Sequence, residues 1–358
     1  MQALTYNKRE TNIELLRILC ICGVILLHYC NIEIGKGLLY VDTDSLNYYC
    51  MHFIISLAIC AVNLFILISG YFMVNNEKRS LMKPLKLIVQ VILVQLFLYL
   101  ANVFLFEKTF AIKAILRALI PANYFVILYI AVYITSPYIN KLMAMLSLKQ
   151  NKRFILIIFL IFSVWPTIVD LIEEAVGHKL MGLSSIGMYG SQYGYSYINF
   201  LLMYCIGAFL KRYDFSSIDN KRLYVSFILN NLLINIWSQI NNTTAWEYCN
   251  PLIVLEAILV FLIFNKIKLQ NEKINFLAKS VFSVFLLHFS FINKLNISYF
   301  VNSNLAVMIL HMMFSCIGIY LVCFIFDIFY KKFENFIFKL KICRCSFLSE
   351  NFTLLQDK

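Results

Sequence analysis

Charged side chains are scarce in this chain. Asp, Glu, Lys and Arg together make up 14% of its 358 residues, against about a quarter in an ordinary soluble domain. Helix breakers are few as well, with 5 prolines and 11 glycines. No CxxC pair occurs, and the CxC formed by Cys343 and Cys345 is too small a set for a zinc site. No glycine-rich nucleotide loop, His-Glu-x-x-His zinc motif or Gly-x-Ser-x-Gly elbow is present. Nucleotide hydrolysis, zinc peptidase and serine hydrolase chemistry therefore have no support, and no metal is expected. Paired half-helices interrupted by Gly or Pro, the mark of many transporters, are missing too. Few acidic residues lie within or at the ends of apolar runs, among them Glu14, Glu256 and Asp327. The first apolar run is long, carries charge and has no A-x-A-like site after it, so no cleavable signal peptide is expected.

What remains is apolar: 61% of residues are hydrophobic and the mean hydropathy is +0.77. A membrane span needs about 20 mostly apolar residues. About ten stretches approach that, at 13–31, 50–74, 85–106, 123–143, 154–170, 196–211, 222–240, 250–268, 276–293 and 304–330. The fold class expected is all-α and polytopic, with a membrane domain over 1–330 and a basic tail over 331–358. The stretch 222–240 is unusually polar, with Asn230, Asn231, Asn235, Ser238 and Gln239. Most of the 11 cysteines fall inside these runs, where Cys behaves as a small hydrophobe.

The net charge of +12 could point to nucleic acid, but the positions of the cations point elsewhere. Taking alternate loops, 24 of the 31 Lys and Arg fall on one side and six on the other, with Arg17 left over. That asymmetry is the positive-inside signature and puts both termini in the cytoplasm. The bilayer is the expected partner, the basic tail sits on anionic head groups, and no nucleic acid is needed.

The first apolar run carries three residues that do not belong in lipid: Glu14, Arg17 and His28. At about 100° per residue they share one helical stripe, and Arg17 and His28 stand roughly 16 Å apart along the axis. An arginine within a membrane helix costs at least ~2.5 kcal/mol, so the stripe is expected to face protein or a wet cavity. The expectation is a shaft from the cytoplasmic side to a site in the outer half of the bilayer. Arg17 is suited to hold the phosphate of an anionic donor; equally, it can snorkel or pair with Glu14. His28 is suited to move a proton at neutral pH; taken alone, it can equally be a buried histidine bonded to a carbonyl. All five histidines (His28, His52, His178, His288, His311) fall at or near the outer half. Ser69-Gly70 allows close helix approach. The loop 170–195 ends in GLSSIGMYGSQYGYSY, an irregular stretch whose Tyr faces can stack on sugar rings or sit in an interfacial belt. Lys113 and Arg117 at helical spacing mark an amphipathic segment within 107–122.

Several stretches, in order, carry a family resemblance. Arg17-x10-His28, preceded by Glu14-Leu15-Leu16, resembles the opening of the acyltransferase family 3 membrane enzymes, which O-acylate cell-surface polysaccharides. Leu64–Tyr71 resembles that family's Phe-rich run ending in Ser-Gly, here Ser69-Gly70. Tyr124–Tyr129 followed by Ser136-Pro137 is similar to its aromatic fourth span, with Tyr-Phe-Val where the family commonly has Trp-Phe. Ser283–His288, with four residues between the serine and the histidine, resembles its late Ser…His motif. The basic loop 78–84 is similar to the Arg/Lys-Pro loop after the second span. The resemblance covers about 11–330. It implies ten core helices, a cytoplasmic acyl-CoA donor with no bound cofactor, and an acceptor hydroxyl on a surface or lipid-linked saccharide. It also implies His28 as catalytic base and Arg17 as donor-binding, with Glu14, Ser69 and His288 as supporting residues. The expected enzyme is an O-acyltransferase of a bacterial-type cell membrane, with acetyl the foremost acyl group. The competing expectation is a polysaccharide or lipid transporter or polymerase.

Overall fold

The computed structural model describes residues 9–76, 79–105, 109–339 and 351–352. Lys8, Lys78 and Lys108, the Cys343–Cys345 pair and most of the basic tail expected over 331–358 lie outside the described residues.

Each expected apolar stretch falls on a helix. These are α1 (Thr11–Cys30), α2 (Leu46–Met73), α3 (Met82–Leu105), α4 (Tyr124–Met145), α5 (Leu148–Val176), α6 (Tyr197–Arg212), α7 (Asn220–Ile240), α8 (Pro251–Asn265), α9 (Glu272–Ile292) and α10 (Leu305–Lys339). The only strands among the described residues pair Arg79–Ser80 with Asn351–Phe352. The protein is thus an all-α, multi-pass membrane protein. Eight of the helices are long and apolar enough to cross a bilayer. The other two, α6 with 16 residues and α8 with 15, rise only roughly 24 and 22 Å, short of a ~30 Å hydrocarbon core.

Helix ends follow capping chemistry more closely than hydropathy. Ser147 and Gln150 form a capping box at the start of α5, and Gly177 in the left-handed region ends it. The helix therefore runs well past the expected 154–170 at both ends. It contains one π turn at Leu160–Val164. A short helix, Ile112–Ala118, falls where the amphipathic segment was expected.

The chain forms two compact units. The first contains described residues up to 68, 215–246 and 252–328. In it α1 packs on the first half of α2 and on α9. The polar side of α7 turns inward: Asn230 donates to the Leu252 carbonyl (2.9 Å), and Asn231 to Glu256 Oε1 (2.9 Å). The Ser238 hydroxyl donates to the Asn235 carbonyl (2.7 Å), so it accepts from His52 Nδ1 (3.0 Å). Such pairing makes a polar helix tolerable in an apolar bundle, because each buried amide finds a partner.

The second unit contains 69–214, 247–251 and the residues from 329 on. Its polar centre is Arg79, almost fully buried. Its guanidinium donates to Ser136 Oγ (2.8 Å) and to the carbonyls of Asn76 (2.6 Å) and Met73 (3.2 Å). Asn140 donates to the Met73 carbonyl and accepts from the Tyr204 hydroxyl. Gly70 faces the α6 backbone here; a Cβ at that position would stand 2.1 Å from the Tyr204 carbonyl oxygen.

The loop after α5 is irregular, as expected, and it is also tethered. Asp170 accepts from the Ser191 amide (2.9 Å), and Glu173 accepts from the Leu180 amide (2.9 Å) and pairs with Lys179 (2.8 Å). Glu247 is buried in the same cluster. Burial first, and the neighbouring Asp170 charge second, push its carboxyl up to about 8, with Ser191 and Lys179 pulling the other way. An unfolded Glu gives up its proton near pH 4.5 while the folded one keeps it, so stability is fullest in acid and declines as pH climbs from about 4.5 to about 8. Glu247→Gln should abolish that part of the decline and raise Tm at pH 8 by several degrees in thermal unfolding of the detergent-solubilised protein. An unchanged pH–Tm curve would show that Glu247 is not the group responsible.

Candidate active site

The candidate site is built on α1, which is tied down at both ends within the first unit. At its start Asn12 donates to the Phe264 carbonyl (3.0 Å), and Thr11 Oγ1 accepts from the Asn271 amide (3.2 Å). At its end the Tyr29 hydroxyl meets His311 Nδ1 at 2.6 Å, and Phe300 stacks on the His311 ring at 3.8 Å. The chain then folds back so that the Gly35 amide donates to the His28 carbonyl (2.9 Å). Only glycine fits that turn: a Cβ at 35 would stand 2.5 Å from the His28 oxygen and 2.4 Å from that of Tyr29. These contacts fix the helix end that carries the first histidine.

His28 is partly buried and stands against His288, with ring centroids 5.1 Å apart and planes tilted by 32°. Phe289 packs edge-on at 5.9 Å. No hydrogen bond engages the His28 ring among the described residues, so both nitrogens are available. His288 is different. Its Nδ1 lies 3.0 Å from the Val284 carbonyl, an acceptor only, so Nδ1 carries the proton. Its Nε2 is therefore an acceptor, and it is buried with no hydrogen-bond partner. Two histidines 260 positions apart in sequence thus meet, one with free nitrogens and one with its tautomer set. Ser283, on the same helix as His288, donates its hydroxyl to the Asp327 carboxylate of α10 at 2.5 Å.

At the other end of α1, Arg17 keeps 39% of its side chain exposed and lies 3.7 Å from Glu14. Glu14 is buried and also holds Arg9 at 3.4 Å. The two arginines thus meet on one carboxylate.

A family model described as an acyltransferase domain matches residues 10–328. The chain belongs to acyltransferase family 3. No curated protein and no solved structure gives a match to it. The protein is accordingly a membrane acyltransferase, and the match takes in every residue of the candidate site.

Not everything expected of the acyltransferase's site is found. The stripe between Arg17 and His28 is filled by Ile21 and Val24, both inaccessible to water or nearly so. The open shaft expected along α1 is therefore replaced by packed aliphatic side chains. Ser69 lies on the second half of α2, in the second compact unit, and its neighbour Gly70 serves close helix packing. His52 is fully buried, bonded to Ser238 and packed between Tyr48 and Trp246 at 4.3 and 4.8 Å. The Tyr29–His311 bond next to His28 was not read from sequence. Its only signal was a histidine early in the last apolar run.

Proposed function

We propose that the acyltransferase moves an acyl group, acetyl foremost, from cytoplasmic acyl-CoA to a hydroxyl of a surface or lipid-linked saccharide at the outer face. The observation that carries this reading is the His28–His288 pair. His28 takes the proton of the acceptor hydroxyl as the oxygen attacks the thioester carbonyl. The new ester bond forms, the C–S bond breaks, and the departing thiolate receives the proton from His28. While His28 holds that proton, the lone pair on His288 Nε2 offers it a neutral acceptor, so the imidazolium is stabilised without a buried anion. His288 acts on His28 and is a positioning residue.

Arg17 binds the donor phosphates from the inner face. Its partial exposure and its share of only one carboxylate leave guanidinium N–H groups free for an anion. The pantetheine arm must then pass the Ile21–Val24 packing, either along its flank or by parting it. No bound cofactor is required; acyl-CoA is a substrate. Ten spans, both termini inside and a bacterial-type cell membrane complete the proposal, supported by the ten helices and the one-sided distribution of Lys and Arg.

The reading is tested with labelled acetyl-CoA, membranes holding the protein, and surface glycan from a deletion strain. Alkali-labile label should enter the glycan only when the protein is present. In the same assay Arg17→Ala should raise the donor KM about tenfold or more and leave the acceptor KM near its starting value. A rise confined to the acceptor KM would remove Arg17 from the donor site.

A further inference from the structure

The loop that follows α5 ends in exposed aromatic rings held on a rigid base, and the proposed function uses none of them. Tyr193, Tyr195 and Tyr124 are 57%, 49% and 43% exposed. Tyr195 packs edge-on against Tyr124 at 4.8 Å and against the buried Tyr248 at 5.1 Å. Tyr193 stands 6.3 Å from Tyr195. The backbone beneath them is strained: Gln192 and Tyr193 both have left-handed φ, 53° and 57°. Non-glycine residues persist in that region only when surrounding bonds over-determine it. Those bonds are present. The Tyr193 amide donates to Ser191 Oγ (3.1 Å), the Tyr193 carbonyl accepts from the Tyr248 amide (3.1 Å), and buried Ser191 is itself tied to Asp170.

A tyrosine that merely anchors at the membrane interface needs no fixed backbone, since many rotamers reach the head groups. Preorganised aromatic faces suit a ligand that binds by its face. The chemistry narrows which ligand. No Lys or Arg occurs in 180–196, so a phosphate or other anion finds no counter-charge there. Carboxylates of Asp170, Glu173 and Glu247 lie in the base of the loop, and Lys179, the cation that interacts with Tyr193, is paired to Glu173. An uncharged ring with an apolar C–H face and a hydroxylated rim fits: the C–H face stacks on tyrosine, and the exposed Gln192 meets the rim.

We infer that the Tyr124–Tyr193–Tyr195 cluster is a subsite for an uncharged saccharide ring, the place where the acceptor glycan is held. This rests on the proposed saccharide acceptor and adds the residues that would recognise it. The subsite binds without chemistry, so its removal weakens acceptor affinity and leaves the donor untouched.

The test is binding of surface glycan, extracted from the source organism's deletion strain, to the full-length protein in nanodiscs. Tyr193→Leu and Tyr195→Leu should each weaken binding at least tenfold. Leucine keeps lipid affinity and loses the aromatic face, so a pure membrane anchor would be unaffected by it. Tyr193→Phe should bind as the wild type does. Donor KM should not move in any of the tyrosine variants. Glycan binding indifferent to both leucine variants, or no binding by the wild type, would overturn the subsite. Wild-type binding lost in the leucine variants, with no acyl transfer by any form, would leave the subsite standing and overturn the enzyme reading instead.

Discussion

His28→Ala should reduce acyl transfer by at least a hundredfold while the protein still accumulates in the membrane. General-base removal typically costs 10²–10⁴ in rate. The change deletes a partly buried ring that makes no hydrogen bond among the described residues and touches His288 and Phe289. The structural loss should therefore be modest, which separates this residue from a buried histidine with a bonding role such as His52. His288→Phe makes a useful companion. It keeps the ring stack and removes the Nε2 lone pair, so it should cost about tenfold, mainly in kcat. Initial rates with labelled acyl-CoA, normalised to membrane protein, measure both. Near-wild-type turnover in His28→Ala would eliminate the general-base assignment, and an unchanged kcat in His288→Phe would remove the role given to its Nε2.

Gly70→Ala should be nearly as damaging, for a different reason. Inside a helix, Gly to Ala ordinarily gains up to ~1 kcal/mol. Here the sign reverses. The added methyl would sit 2.1 Å from the Tyr204 carbonyl oxygen and about 3 Å from that residue's Cα and carbonyl carbon, all backbone atoms that no rotamer change can move. Close helix approach through small residues is a main source of packing in membranes, and overpacking typically costs 1–3 kcal/mol or more when backbone must shift. A marked loss of folded protein in detergent size-exclusion profiles is expected, with Gly70→Leu worse than Gly70→Ala. A Gly70→Ala protein that is as abundant and as heat-stable as wild type would show that the α2–α6 approach is looser than described.

Much of the helical layout is legible from hydropathy alone, because lipid-compatible runs have few alternatives. Where the reading fell short, polar ends were the cause. Lys149, Lys152 and Arg153 begin α5, and Asp170, Glu173 and Glu174 close it. Hydropathy discards such residues, while backbone hydrogen bonding and caps carry the helix through them. The Arg17–Glu14 contact was legible because residues three apart on a helix are neighbours. The His28–His288 contact rests on two turns of chain that only the tertiary fold brings together; family resemblance supplied both residues, and spacing alone could not pair them. The Ile21–Val24 packing was missed because the stripe was read by its polar members, and the aliphatic residues between them share the same angle.

The π turn at Leu160–Val164 has a bearing on everything beyond it. Such a turn is one residue wider than a regular one. With that surplus residue absent, the remainder of α5 would be turned by about 100°, and Asp170 would aim away from Ser191. The aim of one carboxylate, and through it the posture of an aromatic surface some twenty positions downstream, is thus set by a single extra peptide unit in the helix.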